Sequence, residues 1–205
     1  ENMHCQYPVC GASRASMMTG LYPYTNRMLG NSGNLRENLP DVVTLSQMFR
    51  NNGYHVGRVS KIYHMGIPTE IIPGTAIHDD PPSWDETVNI KALEQHAPGI
   101  RTEWSPKDTS SQTFTGVEAS TGDLEHADGM AAEAAIEFLK RNKDKPFFLG
   151  CGFVRPHVPL VAPQKYFDIY DRDAMVAPTF PKGDLEDVPK IIREYKANSR
   201  YGVTP

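Results

Sequence analysis

The stretch LEHADGMAAEAAIEFLKRNKDKPFFLGCGFVRPH, residues 124–157, decides the fold class of this chain. Residues 124–142 have the spacing of an amphipathic helix. Its predicted buried stripe consists of Met130, Ala134, Phe138 and the neighbouring Leu139. The nearly continuous apolar run from Pro146 to Phe153 then predicts a strand that is buried on both faces. A helix followed at once by such a strand indicates an α/β arrangement.

Shorter elements extend this pattern in both directions along the chain. Residues 42–52 predict an amphipathic helix, with Gly53 as its C-terminal stop. Residues 54–59 predict a short strand, and residues 189–196 a last helix that begins with proline. Because strands and helices alternate, we predict an α/β sandwich around a largely parallel sheet. So few strands would form only part of a sheet, so the fold is expected to be incomplete in this chain.

Two polar segments follow the two predicted strands directly. Residues 61–66 come after the first strand, and Arg155-Pro156-His157 comes after the second. In open α/β sheets, ligands bind at the carboxyl ends of the strands. We therefore expect both segments to lie at the ligand-binding edge.

Between these strands, residues 67–121 are rich in Pro, Gly, Ser, Thr and Asp and show little periodicity. Connections of this length are uncommon in compact domains, so we predict a long irregular insertion that borders the site. Trp84 and Trp104 are expected to be packing anchors, with substrate stacking as the alternative. His78-Asp79-Asp80, followed by two prolines, is expected to be a surface loop rather than a metal site.

Composition narrows the possible functions. The 205 residues carry a formal net charge of -4 and contain 39% hydrophobic residues. Since no basic run occurs, a nucleic-acid partner is not expected. A membrane span is not expected either, because no stretch approaches the roughly 20 apolar residues that a helix needs to cross a bilayer. The first residues lack the features of a signal peptide, so no targeting segment is recognised.

Three cysteines, an odd number without a CxxC pair, do not suggest a disulfide framework. Cys151, within an apolar run, is expected to be a small buried residue, and Cys5 either the same or the partner of a cysteine elsewhere. Cys10 opens the run Cys10-Gly11-Ala12-Ser13-Arg14, which Thr19-Gly20 follows. Residues 13–19 predict a helix that ends at glycine. Its free amides and positive end would point at residue 10 and favour an anion there. Cys10 is thus a candidate nucleophile, or else a structural thiol.

The run from Cys10 to Gly20 resembles the maturation signature of the sulfatases: Cys, any residue, Pro or Ala, Ser, Arg, four residues and Thr-Gly. The likeness continues along the chain and is greatest to the iduronate-2-sulfatase-like branch. Its Asn-Gly-Tyr segment, its Gly-Lys-x-x-His-x-Gly block and its Phe-Phe-Leu to Lys-Pro-His-x-Pro block have similar segments in this sequence. These are residues 51–54, 61–66 and 147–159, continued by Pro163, Tyr170 and Pro178.

The resemblance implies an alkaline-phosphatase-like fold and a set of catalytic residues. Cys10 would be oxidised to formylglycine, whose hydrate attacks sulfate esters. Arg14 would hold the hydrate, Lys61 would neutralise the sulfate, and His64 would act as hydrogen-bond donor or base. His157 would protonate the leaving oxygen and, with Lys61, contact the substrate. Taken singly, Lys61 is as well explained as a solvated loop lysine, and both histidines as structural ones.

The resemblance also implies a cation and a maturation partner, while Arg155 is interpreted from its position. Arg155 would be a rim charge that attracts an anionic substrate. A divalent cation, calcium in this family, would be bound by the Cys10-derived hydrate and by ligands outside this chain. The maturation partner would be a formylglycine-generating enzyme or an anaerobic equivalent. Its choice depends on Ala12, which stands where most of the family has proline.

We therefore expect residues 1–205 to form part of one sulfatase catalytic domain that is truncated at both ends. We expect the fragment alone to be inactive and the whole enzyme to hydrolyse a sulfate monoester, on a carbohydrate or another sulfated small molecule. Two alternatives are a phosphate or phosphonate ester hydrolase of the same superfamily, and a non-catalytic carbohydrate-binding paralogue in which Cys10 stays a thiol. By resemblance, the expected location is the periplasm, the exterior or the lysosome.

Overall fold

A computed structural model describes residues 3–104, 114–179, 181–184 and 186–193, with residues 192 and 193 described by their backbone alone. These residues form two compact units, one within residues 1–94 and 123–157 and the other within 95–122 and 158–205. No helix within the described ranges is long and apolar enough to cross a membrane.

The first unit contains a parallel three-stranded sheet in the order β2-β1-β5. Its strands are β1 (His55–Ser60), β2 (Glu86–Val88) and β5 (Phe147–Gly152). The helices of this unit are α1 (Cys10–Thr19), α2 (Pro23–Asn26), α3 (Leu35–Asn38), α4 (Leu45–Asn51) and α5 (Ala127–Asn142). Short 3-10 turns occupy Pro81–Ser83 and Asp123–Glu125. The predicted α/β class with a largely parallel, incomplete sheet is confirmed.

Helix α5 packs against β1 and β5. Its buried residues recur every three or four positions: Ala127, Ala131, Ala135, Phe138 and Asn142. At Gly57 in β1, a Cβ atom would lie 2.2 Å from the Phe138 ring, so this glycine lets the ring rest on the strand. Phe138 is thus correctly predicted, and Met130 and Ala134 pack partly buried against the core. The prediction for Leu139 is wrong, because the row of alanines turns the buried face away from this side chain, which is 42% exposed.

The other predicted elements of this unit are present with small shifts. The helix predicted over 42–52 is α4, where Thr44 Oγ1 accepts a hydrogen bond from the Gln47 amide at 3.3 Å. The strand predicted over 54–59 is β1, and the one over 146–153 is β5. Burial of β5 on both faces is wrong: each of its residues is half-buried, since β5 is an edge strand of the described sheet.

The second unit has a mixed sheet in the order β3-β4-β6. Strand β3 (Gly99–Glu103) is antiparallel to β4 (Thr115–Ala119), which is parallel to β6 (Leu160–Pro163). A 3-10 turn at Glu94–His96 begins at the last residue of the first unit's segment 1–94 and continues into the second unit. Helices α6 (Gln164–Phe167) and α7 (Lys190–Arg193) follow the sheet. The predicted helix 189–196 therefore agrees with α7 over its first residues, while residues 194–196 lie outside the described ranges.

The segment 67–121 contains more regular structure than its sequence indicates. It includes β2, β3 and β4, whereas residues 105–113 are outside the described ranges. All residues of β3 are exposed and all of β4 are buried, so neither strand alternates in hydrophobicity. That the segment is an insertion bordering the site stays a prediction. Trp84 is a packing residue, 4% exposed and edge-on to Tyr63, while Trp104 packs against Gly116 of β4.

Candidate active site

Cys10 is the first residue of α1, directly after the N-cap Val9. The helix thus begins three residues earlier than predicted. It ends as predicted at Gly20, which has φ 70° and whose amide donates to Ser16 O at 2.8 Å. The half-buried Cys10 thiol contacts two side chains. Its Sγ donates to Asn31 Oδ1 at 3.1 Å and lies 3.4 Å from His64 Nδ1.

Asn31 is part of the candidate site although no sequence pattern singles it out. Its Oδ1 also accepts the Gly11 amide at 2.9 Å, so one amide oxygen holds both the thiol and a free N–H of the helix start. A Cβ atom at Gly11 would lie only 2.4 Å from Gly30 O, so glycine is needed for this close approach. Contacts this local depend on the path of the 30–33 turn, which composition does not reveal.

Arg14 lies one helical turn after Cys10 and anchors the segment that follows β1. Its Nη1 donates to Lys61 O at 3.0 Å and to Ile62 O at 2.7 Å. Burial lowers the pKa of Arg14, and the nearby Cys10 opposes that shift. Within the described residues, its Nε and Nη2 make no hydrogen bond.

Lys61 follows the last residue of β1 and is 3% exposed, so its interpretation as a solvated loop lysine is wrong. Burial, together with Arg14, lowers its pKa to about 8, while Cys10 and Glu70 act in the opposite direction. In the described part of the chain, Lys61 Nζ has no hydrogen-bond partner. The side chain of Lys61 is buried, and its ammonium group has no partner within the described ranges, so an anion at this position would be favourable.

His64 is half-buried between Cys10 and His78. The centroids of its ring and the His78 ring are 5.9 Å apart. The pKa of His64 is lowered to about 4, first by burial and then by Lys61, His78 and Arg14, while Glu70 opposes the shift. At neutral pH the imidazole is therefore uncharged and able to accept a proton.

A buried carboxylate holds the segment that joins His64 to His78. Glu70 is 5% exposed and accepts the amides of Gly66, at 2.5 Å, and Ile77. Its charge also favours the protonated form of Lys61. A single glutamate in a Pro- and Gly-rich stretch gives no signal for this role.

The prediction of a surface loop at residues 78–80 is wrong for Asp80, which is buried. Asp80 is 3% exposed and accepts two hydrogen bonds of 2.7 Å from Arg36. Asp79 accepts one of 2.9 Å from the buried Arg58. These carboxylates stabilise the fold through their pairs with arginine. Across the described ranges, no group of three or more His, Cys, Asp or Glu side chains is arranged to hold a metal ion.

Arg155 and His157 follow β5. Arg155 Nη2 pairs with Glu94 Oε2 at 2.6 Å, and Nη1 donates to the backbone oxygen of His157 at 3.1 Å. Because Ser60 and Gly152 are paired in the parallel sheet, this segment leaves the same edge as Lys61. Cys10, Arg14, Lys61 and His64 are thus brought together, with Arg155 and His157 after the neighbouring strand. The roles of all six stay predictions.

The other two cysteines lie outside this group. Cys151 is half-buried against the core, and burial raises the pKa of its thiol. Cys5 is exposed, and all three cysteines are free thiols.

Comparison with known proteins shows which family this chain resembles. A sulfatase from Formosa agariphila is 30% identical over 202 residues, which is 92% of this chain and 38% of that protein. Human iduronate 2-sulfatase is 27% identical over 83% of this chain and 30% of its own length. The chain thus spans about a third of the length of these curated relatives.

Solved structures show the same fold at lower identity. A phosphonate monoester hydrolase of Agrobacterium radiobacter has a TM-score of 0.60 and 20% identity, and the match covers 86% of this chain and 37% of that one. A protein in complex with its substrate D-glucosamine-2-N,6-O-disulfate has a TM-score of 0.56 and 18% identity, over 87% and 31% of the two chains. The described fold is accordingly part of an alkaline-phosphatase-like one.

The family model for sulfatases matches residues 1–201, nearly the whole chain. This match includes the segment from Cys10 to Gly20 and both segments that follow β1 and β5. The chain belongs to the sulfatase family.

Proposed function

We propose that this chain supplies part of the catalytic domain of an enzyme that hydrolyses a sulfate monoester to an alcohol and inorganic sulfate. The observation that carries the proposal is the position of Cys10 at the start of α1, within 3.4 Å of Asn31 and His64. Membership of the sulfatase family supports the same reaction.

The nucleophile in this proposal is residue 10 after oxidation to formylglycine. As a hydrated aldehyde, this residue supplies one oxygen that attacks sulfur and a second whose deprotonation releases sulfate and restores the aldehyde. The surroundings of Cys10 fit a group with two oxygens, because an amide oxygen and an imidazole nitrogen already lie within 3.4 Å of its Sγ.

Four side chains have complementary tasks in this proposal. Lys61, buried and without a partner in the described residues, neutralises the sulfate and the charge that develops in the transition state. Arg14 keeps two donor nitrogens for the hydrate or the sulfate. His64 Nδ1 lies 3.4 Å from the Cys10 Sγ, so this ring is placed to hydrogen-bond residue 10 and to accept the proton that it loses. His157 donates a proton to the oxygen of the departing alcohol.

A sulfated carbohydrate is the proposed substrate. A protein of similar fold has D-glucosamine-2-N,6-O-disulfate as its substrate, and one relative is an iduronate 2-sulfatase. These likenesses support a sulfated carbohydrate as the substrate class. A maturation enzyme that oxidises Cys10 is part of the same proposal, as is a location in the periplasm, the exterior or the lysosome.

Calcium fits this chain only in part. The resemblance gives it several oxygen ligands, yet the described residues contain no group of three or more His, Cys, Asp or Glu side chains that could hold a metal ion. Ligands other than residue 10 would come from outside this chain. The tasks assigned above involve protein side chains alone.

The alternative of a phosphonate or phosphate ester hydrolase is weakly supported by the Agrobacterium structure, whose likeness concerns the fold. Such an enzyme would use the same nucleophile, so substrate preference separates the two. A non-catalytic paralogue would instead keep Cys10 as a thiol.

The test uses the full-length protein, expressed together with a maturation enzyme. Conversion of CH2SH to CHO lowers the mass of the peptide containing residue 10 by about 18 Da. We expect this loss, and hydrolysis of p-nitrophenyl sulfate well above that of p-nitrophenyl phosphate, with both the mass loss and the activity abolished in Cys10→Ala. An unmodified thiol under these conditions would contradict the mechanism, and faster hydrolysis of the phosphate would favour the alternative.

A further inference from the structure

The Arg155 guanidinium is engaged by groups of its own unit. Nη2 pairs with Glu94 Oε2 at 2.6 Å, and Nη1 donates to His157 O at 3.1 Å. The side chain of Glu94 is 1% exposed. A charge-assisted hydrogen bond of this length to a buried carboxylate neutralises much of the charge that an anionic substrate would be attracted to.

Glu94 is held in a backbone conformation that a glutamate rarely adopts. Its φ of 51° lies in the left-handed region, which is disfavoured for residues with a Cβ atom. Such conformations persist where the surroundings fix them, and they cluster at functional sites. Here the buried contact with Arg155 aims the carboxylate at the turn that carries His157.

A second carboxylate holds the same turn from α5. Asp128 Oδ1 accepts the amide of Val154 at 2.6 Å, and Oδ2 accepts the amide of Arg155 at 3.0 Å. The His157 amide in turn donates to Val154 O at 3.0 Å. The backbone from 154 to 157 is therefore fixed at its start by Asp128 and at its end by Arg155.

We infer that Glu94 and Arg155 are positioning residues that fix His157 for proton transfer to the leaving alcohol, and that Arg155 acts through His157 rather than on the substrate. The inference rests on the proposed function, which makes His157 the proton donor. It gives Arg155 a task other than the substrate contact that the sequence suggests, and it adds Glu94, which no sequence pattern identifies.

The two roles of Arg155 predict different kinetics. Proton donation matters for a poor leaving group such as a sugar alcohol, and little for p-nitrophenolate, which leaves as a stable anion. General acids contribute roughly 100- to 10,000-fold in rate. A misplaced His157 should therefore lower kcat on a sugar sulfate and spare p-nitrophenyl sulfate. Loss of a substrate contact would instead raise KM for both anionic esters.

The experiment compares Glu94→Gln and Arg155→Lys in the matured full-length protein, on a 6-O-sulfated glucosamine and on p-nitrophenyl sulfate. Glu94→Gln keeps the size of the side chain and removes its charge. Arg155→Lys keeps a positive charge that can pair with Glu94. A lysine ammonium lacks the planar fork of arginine, so it cannot hold both Glu94 and the His157 carbonyl oxygen in the same geometry. Glu137→Gln, in an exposed pair with Lys140 on α5, is the matched control.

We expect both variants to lose at least about 30-fold in kcat on the sugar sulfate and less than about threefold on p-nitrophenyl sulfate. The control variant Glu137→Gln should have the same kcat as the wild type on both esters. In a His157→Gln background, Glu94→Gln should cause little further loss on the sugar sulfate, because residues that act as a unit are not additive.

Equal losses on both esters, a rise in KM with unchanged kcat, or full additivity with His157→Gln would overturn the inference and leave the proposed function standing. If Glu94→Gln fails to fold, the kinetics of Arg155→Lys on the two esters alone test the inference. A matured wild type that hydrolyses neither ester would instead overturn the proposed function, and this inference with it.

Discussion

The amide of Lys61 donates to the carbonyl oxygen of Gly152 over 3.3 Å at the point where β1 and β5 end. A Cβ atom at Gly152 would lie 1.8 Å from Lys61 O. We therefore expect Gly152→Ala to force the two strand ends apart and to cost about 3 kcal/mol or more of unfolding free energy, the upper part of the range for overpacking. Urea unfolding of the purified protein measures this loss.

Gly150→Ala is the matched control in the same strand. There a Cβ atom would lie 3.0 Å from Ile62 Cγ1, a side-chain atom that is able to move. The expected cost is about 1 kcal/mol. Equal costs for the two variants would show that contact with the Lys61 carbonyl is not what requires glycine at 152.

Ser60, directly before Lys61, combines two unfavourable features. Its φ is 57°, and its buried Oγ has no hydrogen-bond partner among the described residues. The left-handed conformation costs about 1–2 kcal/mol for a residue with a Cβ atom, and glycine loses up to about 1 kcal/mol more on folding. Because the unpaired hydroxyl adds a further penalty, we expect Ser60→Gly to raise the unfolding free energy by about 1–2 kcal/mol.

Ser60→Ala separates these two contributions by denaturant unfolding. It removes the hydroxyl but keeps the Cβ atom, so we expect a smaller gain than from Ser60→Gly. An outcome in which Ser60→Gly destabilises the protein would mean that the hydroxyl has a partner that the described contacts do not include.

The sequence predicts the elements whose signal is local. Helix α5 has a sustained 3.6-residue period. Cys10 begins a helix that ends at Gly20, Lys61 follows the strand that comes after Gly53, and Arg155 follows the apolar run 147–153. Parallel pairing of β1 with β5 then brings their ends to one edge. The fold class and the four-residue group around Cys10 follow from these features together with the family resemblance.

What the sequence did not predict depends on contacts between distant segments. The exposure of β3 and the burial of β4 leave no alternation to detect. The buried Asp80 pairs with Arg36, which lies 44 residues away in the sequence. Asn31 and Glu94 are isolated polar residues whose partners lie 20 or more positions away. No local pattern encodes such pairs.

Asn31 offers a prediction that separates stability from binding. Asn31→Ala removes the acceptor of the Gly11 amide, and we expect it to cost about 1 kcal/mol of unfolding free energy, as does the loss of other helix-start acceptors. Asn31→Asp keeps an acceptor but adds a negative charge beside residue 10. In the matured full-length protein we expect it to retain stability and to raise KM for p-nitrophenyl sulfate at least about tenfold by like-charge repulsion.

Unfolding curves and steady-state kinetics of both variants check this pair. A KM for Asn31→Asp equal to that of the wild type would show that the sulfate does not approach this side chain. A stability of Asn31→Ala equal to that of the wild type would show that water replaces the lost acceptor at no cost.

Lys61 makes the stability of the protein depend on pH in a defined direction. Its pKa is lowered from an ordinary value of 10.5 to about 8 in the folded protein. Between these values the unfolded chain binds the proton and the folded protein does not, so the contribution of this group to unfolding free energy rises with pH. Below about pH 8, both states carry the charge, and the full cost of burying it is present.

Lys61→Met keeps the apolar stem and removes the charge. At pH 7 we expect it to raise the unfolding free energy by up to about 3 kcal/mol, from roughly 1.4 kcal/mol for each pKa unit. As pH increases from 7 to 9.5, the difference between variant and wild type should shrink, because the wild type gains stability and the variant does not. Urea unfolding at several pH values in this range measures that difference.

Lys140→Met, at an exposed position on α5, is the control. Its difference in unfolding free energy from the wild type should stay constant between pH 7 and 9.5. The comparison between variants also cancels other groups that titrate in alkali, such as Tyr63, whose pKa burial raises to about 12. A constant difference between Lys61→Met and the wild type would mean that Lys61 keeps its proton throughout. That outcome would place a permanent partner beside its ammonium group and weaken the argument that it awaits a sulfate.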